Sequence, residues 1–455
     1  MMGKYFGTDG FRGEAGVGLT AEHAFKIGRY LGYYLRREVV LNEVRRVRVL
    51  IGKDTRLSSY MLEYAIASGL ASSGADVYLL HVTTTPSVSY VTVREGFDLG
   101  IMITASHNPF SDNGIKIIDC KGKKLGDDIT DIIEEYLDTQ VPHLPFSNGA
   151  DVGRIYDYYA GRNGYIGRLI SLAAGSYKGL RIGIDAANGA AFAIARSVFA
   201  ALGAEIHTIA DEPNGMNINY MCGSTHPEAL SKLVKERGLD VGFAFDGDAD
   251  RCIAMNEHGE TVDGDGIMYI LARRMVRKGR LPQKKIVATV MSNAGLSASL
   301  KDEGIDVDIT KVGDRFVYER MQETGATLGG EQSGHIIISD LSATGDGILT
   351  ALMITEEIID TGMLLGELCR GLTLYPQRNE SVRVRDKSAA ANDEVLRDFI
   401  DETVHKSAGK IRLLVRESGT EPKIRVMVEA ESVDICDRII SEITTLLKMR
   451  GHTDD

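Results

Sequence analysis

The chain has 455 residues, too many for one hydrophobic core, and at roughly 150 residues per domain its length predicts three or four domains. Its net charge of −12 argues against a nucleic-acid-binding surface, and no apolar run approaches the roughly 20 residues that cross a bilayer. The five cysteines form no CxxC pair, and the N-terminus lacks the apolar stretch of a signal peptide. We therefore expect a cytoplasmic protein with free thiols.

The first unusual segment is Phe6–Gly13, which places three glycines and a lone arginine, Arg12, in eight residues. It begins too early to follow the strand of a Rossmann unit, and it lacks the spacing of a phosphate-binding P-loop. Two interpretations stay open for it. Either a tight loop carries Arg12 into a cleft, or the segment is an ordinary turn.

Three later segments share one plan, in which an apolar strand, a small-residue turn, a helix and a glycine-bearing turn lead to a second strand. This alternation predicts an α/β protein with mixed or parallel sheets. Each segment is followed by another strand that ends in a polar, glycine-bearing loop. Ligands collect at the carboxyl ends of such strands, so these loops either converge on one cleft or are three unrelated turns. The loops are Gly100–Pro109, Gly242–Arg251 and Leu328–His335.

The first of these loops, GIMITASHNP, raises three hypotheses for Ser106. A hydrolase nucleophile elbow needs the pattern G-x-S-x-G, and both glycines are absent. A helix cap is the second hypothesis, because Pro109 is compatible with a helix start. The third hypothesis makes Ser106 a phosphoryl carrier, since a phosphoserine brings nearly two negative charges that would complete a metal site.

The second loop carries three carboxylates at every second position, Asp246, Asp248 and Asp250, directly after an apolar strand. On an extended backbone this spacing puts all three on one side, where they favour a hard cation such as Mg²⁺, Mn²⁺ or Ca²⁺. An EF-hand is excluded because Arg251 occupies the position of the turn glycine and because a strand, not a helix, precedes the loop. A solvated acidic turn is the remaining alternative.

Two further loops offer ligand chemistry. GEQSGH, residues 330–335, sets Glu331 and Ser333 between glycines and suits a polyol. Arg416–Arg425 combines arginines, hydroxyls and a glycine backbone in the way a phosphate site requires, with an ordinary surface turn as the alternative.

We predict four domains. One break lies near residues 142–153, where Pro, Gly and Asn accumulate, and another follows Leu372, after which the sequence predicts alternating strands and a closing helix. Domain 1 carries the serine loop, domain 2 the acidic loop, domain 3 the polyol loop and domain 4, a small α+β domain, the phosphate loop. Their predicted bounds are 1–150, 151–255, 256–371 and 372–455.

Taken together, these motifs resemble the α-D-phosphohexomutase superfamily, and within it the branch of bacterial phosphoglucosamine mutases. The resemblance runs from residue 3 to the C-terminal helix, in family order. Ala249 stands where the superfamily usually has glycine. The segments that carry the resemblance are FGTDGFRG, TASHNPFSDNGIKI, PNGMNIN, GSTHPE, FDGDADR, TVMSNAG, VGDRFV, GEQSGHII and RESGTEPKIRV.

The resemblance implies three consecutive mixed α/β domains and a smaller α+β domain around a central cleft. It implies that Ser106 is a phosphoserine and that its phosphate joins the three aspartates around one Mg²⁺ per subunit. Glu331 and Ser333 would bind sugar hydroxyls, and Lys116 is the candidate acid/base, with a purely electrostatic role as the alternative. The unreacting phosphate would be held by Arg416, Ser418, Gly419, Thr420 and Arg425, and the reacting end would be surrounded by Arg12, Lys116, Arg251, Asp314 and Arg315. Thr8 would bind substrate, and His107 would organise the catalytic loop.

The implied reaction interconverts glucosamine 6-phosphate and glucosamine 1-phosphate through a 1,6-bisphosphate intermediate, and it feeds UDP-N-acetylglucosamine and cell-wall precursor synthesis. Glucosamine 1,6-bisphosphate or glucose 1,6-bisphosphate would be the activator. Two rivals stay open: a phosphomannomutase/phosphoglucomutase on the same scaffold, and a non-catalytic relative that binds sugar phosphates. The expected partner is a small sugar phosphate, with no nucleic acid and no membrane, and a homodimer is left open.

Overall fold

The computed structural model describes residues 4–7, 10–42, 45–138, 144–407, 410–418 and 423–453. The chain divides into two compact units. The first consists of Met1–Val290 with Ile305–Arg370, and the second of Met291–Gly304 with Gly371–Asp455. Among the described helices, none has the length and apolar character that crossing a bilayer requires.

The first sheet of the larger unit has seven strands in the order β1-β2-β6-β5-β3-β4-β7. β3 pairs in parallel with β4 and β5, and its residues 49–52 form an apolar run because both faces are covered. β7 joins this sheet from beyond the boundary predicted at residue 150. The elements are β1 Phe6–Gly7, β2 Gly10–Glu14, α1 Ala21–Asn42, β3 Arg48–Lys53, α2 Leu57–Ser72, β4 Asp76–Val82, α3 Thr85–Arg94, β5 Leu99–Ile103, β6 Asp112–Asp119, α4 Asp127–Asp138, a 3₁₀ turn at Gly149–Asp151 and β7 Ile155–Asp157.

The second sheet has five strands in the order β12-β11-β10-β8-β9. Its central strand β10 pairs in parallel with β8 and antiparallel with β11, and all five of its residues are buried. The polar acidic loop follows this buried strand directly. The elements are α5 Tyr159–Leu172, β8 Arg181–Asp185, α6 Ala191–Ala201, β9 Glu205–Ile209, α7 Glu228–Arg237, β10 Val241–Phe245, β11 Cys252–Met255 and β12 Thr261–Val262.

The third sheet has four strands in the order β14-β13-β15-β16. β13 pairs in parallel with β14 and β15, and β15 pairs antiparallel with β16. The polyol loop lies between these last two strands. The elements from this part of the chain are α8 Gly264–Arg277, β13 Lys285–Thr289, α9 Ala294–Asp302, β14 Asp306–Thr310, α10 Asp314–Thr324, β15 Leu328–Gly330, β16 Ile336–Ile338, α11 Gly347–Thr361 and α12 Leu365–Leu368.

The smaller unit holds a three-stranded antiparallel sheet in the order β17-β19-β18, together with α9. Helix α15 buries Cys436, Ile439, Ile443 and Leu447, a helical spacing that places them on one face toward the core of this unit. Its other elements are β17 Gln377–Arg383, α13 Lys387–Ala391, α14 Glu394–Lys406, β18 Arg412–Glu417, β19 Lys423–Glu429 and α15 Val433–Met449. The predicted α/β class is confirmed.

Candidate active site

The Ser106 loop, residues 104–111, joins β5 to β6. Ser106 is fully buried, and its φ of +51° is a left-handed conformation that costs a non-glycine residue about 1–3 kcal/mol. Its hydroxyl donates a hydrogen bond to Oδ2 of Asp246, 2.5 Å away. The loop leads into a strand at Asp112, so the helix-cap hypothesis for Ser106 is wrong.

The acidic loop brings one carboxylate oxygen from each of Asp246, Asp248 and Asp250 within 4.8 Å of one another. The predicted convergence is present, but the extended backbone predicted for it is wrong. Residues 246–250 form a turn in which the N–H of Ala249 donates to the carbonyl of Asp246 at 3.1 Å. Ala249 has a φ of +56°, so the curl of this turn, not alternation along a strand, gathers the carboxylates.

A glycine allows the acidic loop to lie against the Ser106 loop. A Cβ atom built at Gly247 would be 2.5 Å from the carbonyl oxygen of Ser106, a distance that real Cβ contacts do not reach. A side chain at this position would therefore push the two loops apart. The close approach of the Ser106 hydroxyl to Asp246 depends on this missing side chain.

The carboxylate oxygens fit a divalent cation. Oδ1 of Asp248 and Oδ1 of Asp250 are buried and have no hydrogen-bond donor among the described residues. Burial, Asp250 and Asp248 together raise the pKa of Asp246 well above its ordinary value, because three like charges are held close in a dry site. Oxygen-only ligands suit a hard cation such as Mg²⁺, so the triad could hold one.

Three cationic side chains approach the triad. Lys116 on β6 is 2% exposed, and its Nζ donates to Oδ2 of Asp248 at 2.8 Å and to Oδ2 of Asp250 at 3.0 Å. Burial alone would lower the pKa of Lys116, but these two carboxylates outweigh it and raise the pKa. Lys116 is therefore an ammonium group here, which suits charge balance better than proton abstraction. Arg251 follows the triad, with Nε 3.9 Å from Oδ1 of Asp250.

Arg12 lies on strand β2, so neither a tight loop nor an ordinary turn describes its backbone, and its place in a cleft stays a prediction. In β2 it pairs opposite Gly114 of β6, two residues before Lys116. Burial is the larger effect and lowers the pKa of the Arg12 guanidinium. The carboxylates of Asp248, Asp250 and Asp246 act in the opposite direction and raise it. These charges place Arg12 in the electrostatic environment of the triad.

His107 is held neutral. Its Nδ1 lies 3.4 Å from the Ser106 hydroxyl oxygen, too long for a strong hydrogen bond. Burial, followed by the positive charges of Arg251 and Arg12, lowers the pKa of this imidazole to about 3. A neutral imidazole with so little proton affinity is a poor general base.

We expect the His107 ring of the unphosphorylated protein to show no titration between about pH 5 and 8, where an ordinary histidine changes charge. A depressed pKa means that the neutral form persists throughout this range. Nitrogen-15 NMR of the imidazoles would measure it, with a His107→Gln variant used to assign the resonance. A His107 signal that titrates near its ordinary pKa would contradict the electrostatic environment described above.

The third sheet contributes a second polar group. Oε1 of Glu331 accepts a hydrogen bond from the N–H of Gly313 at 3.0 Å, and Ser333 is exposed. Oδ2 of Asp314 pairs with Nζ of Lys124 at 2.6 Å. Arg315 pairs along its own helix, with Nε 2.9 Å from Oε1 of Glu319. The chain thus places the loop that carries Glu331 next to the start of α10, where Asp314 lies.

His335 links this group to the triad. Its Nδ1 is 3.7 Å from Oδ1 of Asp250, and its Nε2 is 3.8 Å from Oδ2 of Asp314. The N–H of Gly345 donates to Nε2 at 3.1 Å, so in the neutral ring the proton sits on Nδ1 and faces Asp250. A cavity of about 430 Å³ lies beside these groups, and its lining includes Thr85, Lys116, Lys124, Asp314, Arg315 and His335.

In the smaller unit, Arg416 and Arg425 face each other as a register pair on β18 and β19. The hydroxyl of Ser418 is buried and has no hydrogen-bond partner among the described residues, while its carbonyl accepts from Nζ of Lys387 at 2.9 Å. An unsatisfied buried hydroxyl beside two arginines is compatible with an anion site. Three predicted residues lie outside the described part of the chain: Thr8, Gly419 and Thr420.

Sequence reasoning missed three residues that hold the site together. Thr85 donates to Asp248 twice, through its hydroxyl and through its N–H at 3.0 Å. Arg56 and Asn219 both donate to carbonyl groups of the Ser106 loop. The available signals were the Thr-Pro helix start at residues 85–86 and the PNGMNIN motif, and neither indicates a contact partner.

Known protein families match this chain in four separate parts. Four parts of it match families described as phosphoglucomutase/phosphomannomutase alpha/beta/alpha domains I, II and III and the C-terminal domain. The matched residues are 3–142, 163–259, 263–375 and 381–446.

Two curated relatives carry the name phosphoglucosamine mutase. The one from Lachnoclostridium phytofermentans is 51% identical over 451 residues, covering 99% of each chain. The one from Bacillus pumilus is 46% identical over 447 residues, covering 98% of this chain and 99% of the relative.

Solved structures agree in fold. A phosphoglucomutase/phosphomannomutase family protein from Burkholderia thailandensis is 25% identical with a TM-score of 0.80, covering 100% of this chain and 99% of the other. The N-acetylphosphoglucosamine mutase of Aspergillus fumigatus, solved with GlcNAc-6P and magnesium, is 18% identical with a TM-score of 0.70, covering 98% and 96%.

Proposed function

The chain belongs to the phosphoglucomutase/phosphomannomutase family, and we propose that it interconverts glucosamine 6-phosphate and glucosamine 1-phosphate through a phosphoserine at Ser106. The observation that carries the proposal is the Ser106 hydroxyl, buried and 2.5 Å from an aspartate of a triad that fits a divalent cation. The choice of an amino sugar rests on the curated relatives at 46–51% identity.

In the proposed first half-reaction, phospho-Ser106 transfers its phosphoryl group to the free hydroxyl of the bound monophosphate. The bond between Oγ and phosphorus breaks as the bond from the sugar oxygen forms. The sugar hydroxyl passes its proton to the acid/base group, and Oγ of Ser106 takes up a proton in exchange, so that Ser106 ends as a free hydroxyl. The product is a bound 1,6-bisphosphate. It turns over in the cleft, and its other phosphoryl group returns to Ser106.

Residues of this chain have defined tasks in that scheme. Asp246 accepts the hydrogen bond of the free Ser106 hydroxyl, so it is placed to take that proton when Ser106 is phosphorylated again. Lys116, Arg12 and Arg251 balance the charge of the reacting phosphoryl group. Lys116 stays the candidate acid/base, with the electrostatic role favoured by its two carboxylate partners.

The proposed cofactor is one Mg²⁺ per subunit, held by Asp246, Asp248, Asp250 and the phosphate on Ser106. It would neutralise the charge that spreads over the transferring phosphoryl group. Glucosamine 1,6-bisphosphate or glucose 1,6-bisphosphate is the proposed activator, because either can phosphorylate an empty Ser106.

The remaining predicted residues bind substrate in this proposal. Glu331 and Ser333 hold sugar hydroxyls, since carboxylate and hydroxyl groups match their donors and acceptors. A set of arginines, hydroxyls and a glycine N–H holds the unreacting phosphate: Arg416, Ser418, Gly419, Thr420 and Arg425. Thr8 also binds substrate, His107 organises the Ser106 loop, and Asp314 and Arg315 complete the surroundings of the reacting end.

A comparison of substrates tests the proposal. Turnover of glucosamine 1-phosphate, glucose 1-phosphate and mannose 1-phosphate is measured with Mg²⁺ and glucose 1,6-bisphosphate. We expect kcat/KM to favour the amino sugar by about tenfold or more, as the identity to curated phosphoglucosamine mutases suggests. A kcat/KM that instead favours glucose or mannose phosphate by about tenfold would support the phosphomannomutase/phosphoglucomutase alternative. No turnover of any of them, with binding retained, would favour a non-catalytic relative.

The biosynthetic role, the cell compartment and the oligomeric state are also proposals. A glucosamine phosphate mutase would supply UDP-N-acetylglucosamine and cell-wall precursor synthesis in the cytoplasm. A homodimer is a further option, which light scattering coupled to size-exclusion chromatography would measure directly.

A further inference from the structure

We infer that Arg56 and Asn219 are positioning residues that clamp the Ser106 loop from two sides and keep the phosphoryl-carrying serine aligned for transfer. Neither side chain reaches the reacting atoms, because both end on main-chain carbonyl groups. The clamp itself stands on contacts within the larger unit, and its effect on turnover rests on the proposed function.

Arg56 is the first half of the clamp. Its side chain is completely buried, and its charge is paired with the carboxylate of Asp54, where Nε and Oδ2 are 2.8 Å apart. One carboxylate leaves most guanidinium donors to other acceptors. These donors go to carbonyl oxygens of a single short stretch: Ser106 at 2.9 Å, Asn108 at 2.9 Å, Asp112 at 3.0 Å, and Pro109.

Asn219 is the second half, and it comes from the segment between β9 and α7. Its Nδ2 donates to the carbonyl of Ser106 at 2.8 Å and to that of Asn108 at 3.1 Å. These are the same two oxygens that Arg56 binds. A carbonyl oxygen has two lone pairs, so the two donors together saturate both acceptors.

Asn219 is itself fixed by the second sheet. It has a φ of +58°, and its N–H donates to the carbonyl of Ala187 at 2.9 Å. The N–H of Ala187 and the N–H of Gly223 donate to the buried carboxylate of Asp185 at 2.9 and 2.8 Å. The second sheet therefore holds the Ser106 loop of the first sheet through one amide group.

The clamp explains how Ser106 keeps its conformation. Its peptide carbonyl is held by two donors, its N–H donates to the hydroxyl of Thr104 at 2.9 Å, and its hydroxyl points to Asp246. A left-handed serine persists only where its surroundings over-determine it. Removing one donor leaves the sugar phosphate contacts intact and loosens the angle at which the phosphoryl group is presented.

Asn219→Asp tests the inference in the full-length protein. Aspartate has nearly the same shape and tolerates the left-handed conformation, but it cannot donate to the two carbonyls. Asn214→Asp is the matched control, because Asn214 lies in the same motif. Among the described residues its side chain makes one hydrogen bond, in which Oδ1, which aspartate keeps, accepts from the N–H of Met216. Arg56→Lys is a third variant, informative where it folds.

Two measurements separate the outcomes. Hydrogen exchange by mass spectrometry needs no activity, and we expect Asn219→Asp to speed amide exchange in residues 104–111 by about fivefold or more, with no change in the control. Kinetics should give a kcat about 10- to 100-fold lower with KM within about twofold, as expected for misalignment of a reacting group. Unchanged exchange would overturn the clamp whether or not the chain is a mutase. Faster exchange with kcat unchanged in an active enzyme would overturn its role in transfer, whereas an inactive wild-type protein would count against the proposed function alone.

Discussion

Ser106→Ala is expected to lower mutase turnover by about 10³-fold or more and to remove the phosphoryl group from the protein. The proposed reaction has no other carrier, because the sugar exchanges its phosphoryl group with this one oxygen in both half-reactions. Loss of a covalent nucleophile has effects of this size or larger. Intact-mass analysis of the purified protein reports the phosphoryl group, and coupled turnover of glucosamine 1-phosphate reports the rate.

Ser111→Ala provides the matched control for this experiment. Ser111 lies in the same loop with an exposed side chain, so its hydroxyl is open to adventitious phosphorylation but lies outside the hydrogen bonds that hold Ser106. The control should keep both the phosphoryl group and the activity. A Ser106→Ala protein that is unphosphorylated yet turns over at the wild-type rate would remove the phosphoserine mechanism, even if the substrate assignment survives.

The sequence predicted the chemistry of the site better than its geometry. Ser106 and the three aspartates follow buried strands of two sheets, and strand ends are where α/β proteins place ligands, so their convergence follows from topology. The backbone conformation between Asp246 and Asp250 does not follow from the spacing of the carboxylates at every second position. Its turn depends on Ala249 in a left-handed conformation, and local pattern alone does not assign that conformation to alanine.

Hydrogen-bond and ion-pair partners that are far apart in the chain could not be predicted from the sequence. Arg56 and Asn219 bind the same two carbonyl oxygens, although they lie in loops next to different sheets, and nothing local to either residue indicates that shared contact. The same holds for Lys116. Its charge depends on Asp248 and Asp250, which come from another sheet, so a lysine in a sequence motif has no defined pKa until those neighbours are placed.

Asp248→Asn is expected to weaken divalent-cation binding by at least about tenfold and to lower turnover by about 10²-fold. Asp248 contributes an oxygen that has no donor among the described residues, Oδ1, and a second oxygen, Oδ2, that accepts from Lys116 and Thr85. The amide removes one of three negative charges and turns an NH₂ group toward groups that already donate. Both changes act against a hard cation.

Binding is measured without catalysis, by titrating Mn²⁺ into the protein and following the free ion by electron paramagnetic resonance. A second readout is the thermal shift with Mg²⁺, because a ligand that binds only the folded state raises Tm, and at a fixed ligand concentration the rise is larger for tighter binding. Asp306→Asn serves as the charge-matched control, since Asp306 is exposed on β14 and lies outside the triad. If Asp248→Asn binds Mn²⁺ as tightly as the control does, the triad is not the metal site. Lys116, Arg12 and Arg251 alone would then neutralise the three carboxylates. The same three cations would also have to neutralise the charge on the transferring phosphoryl group.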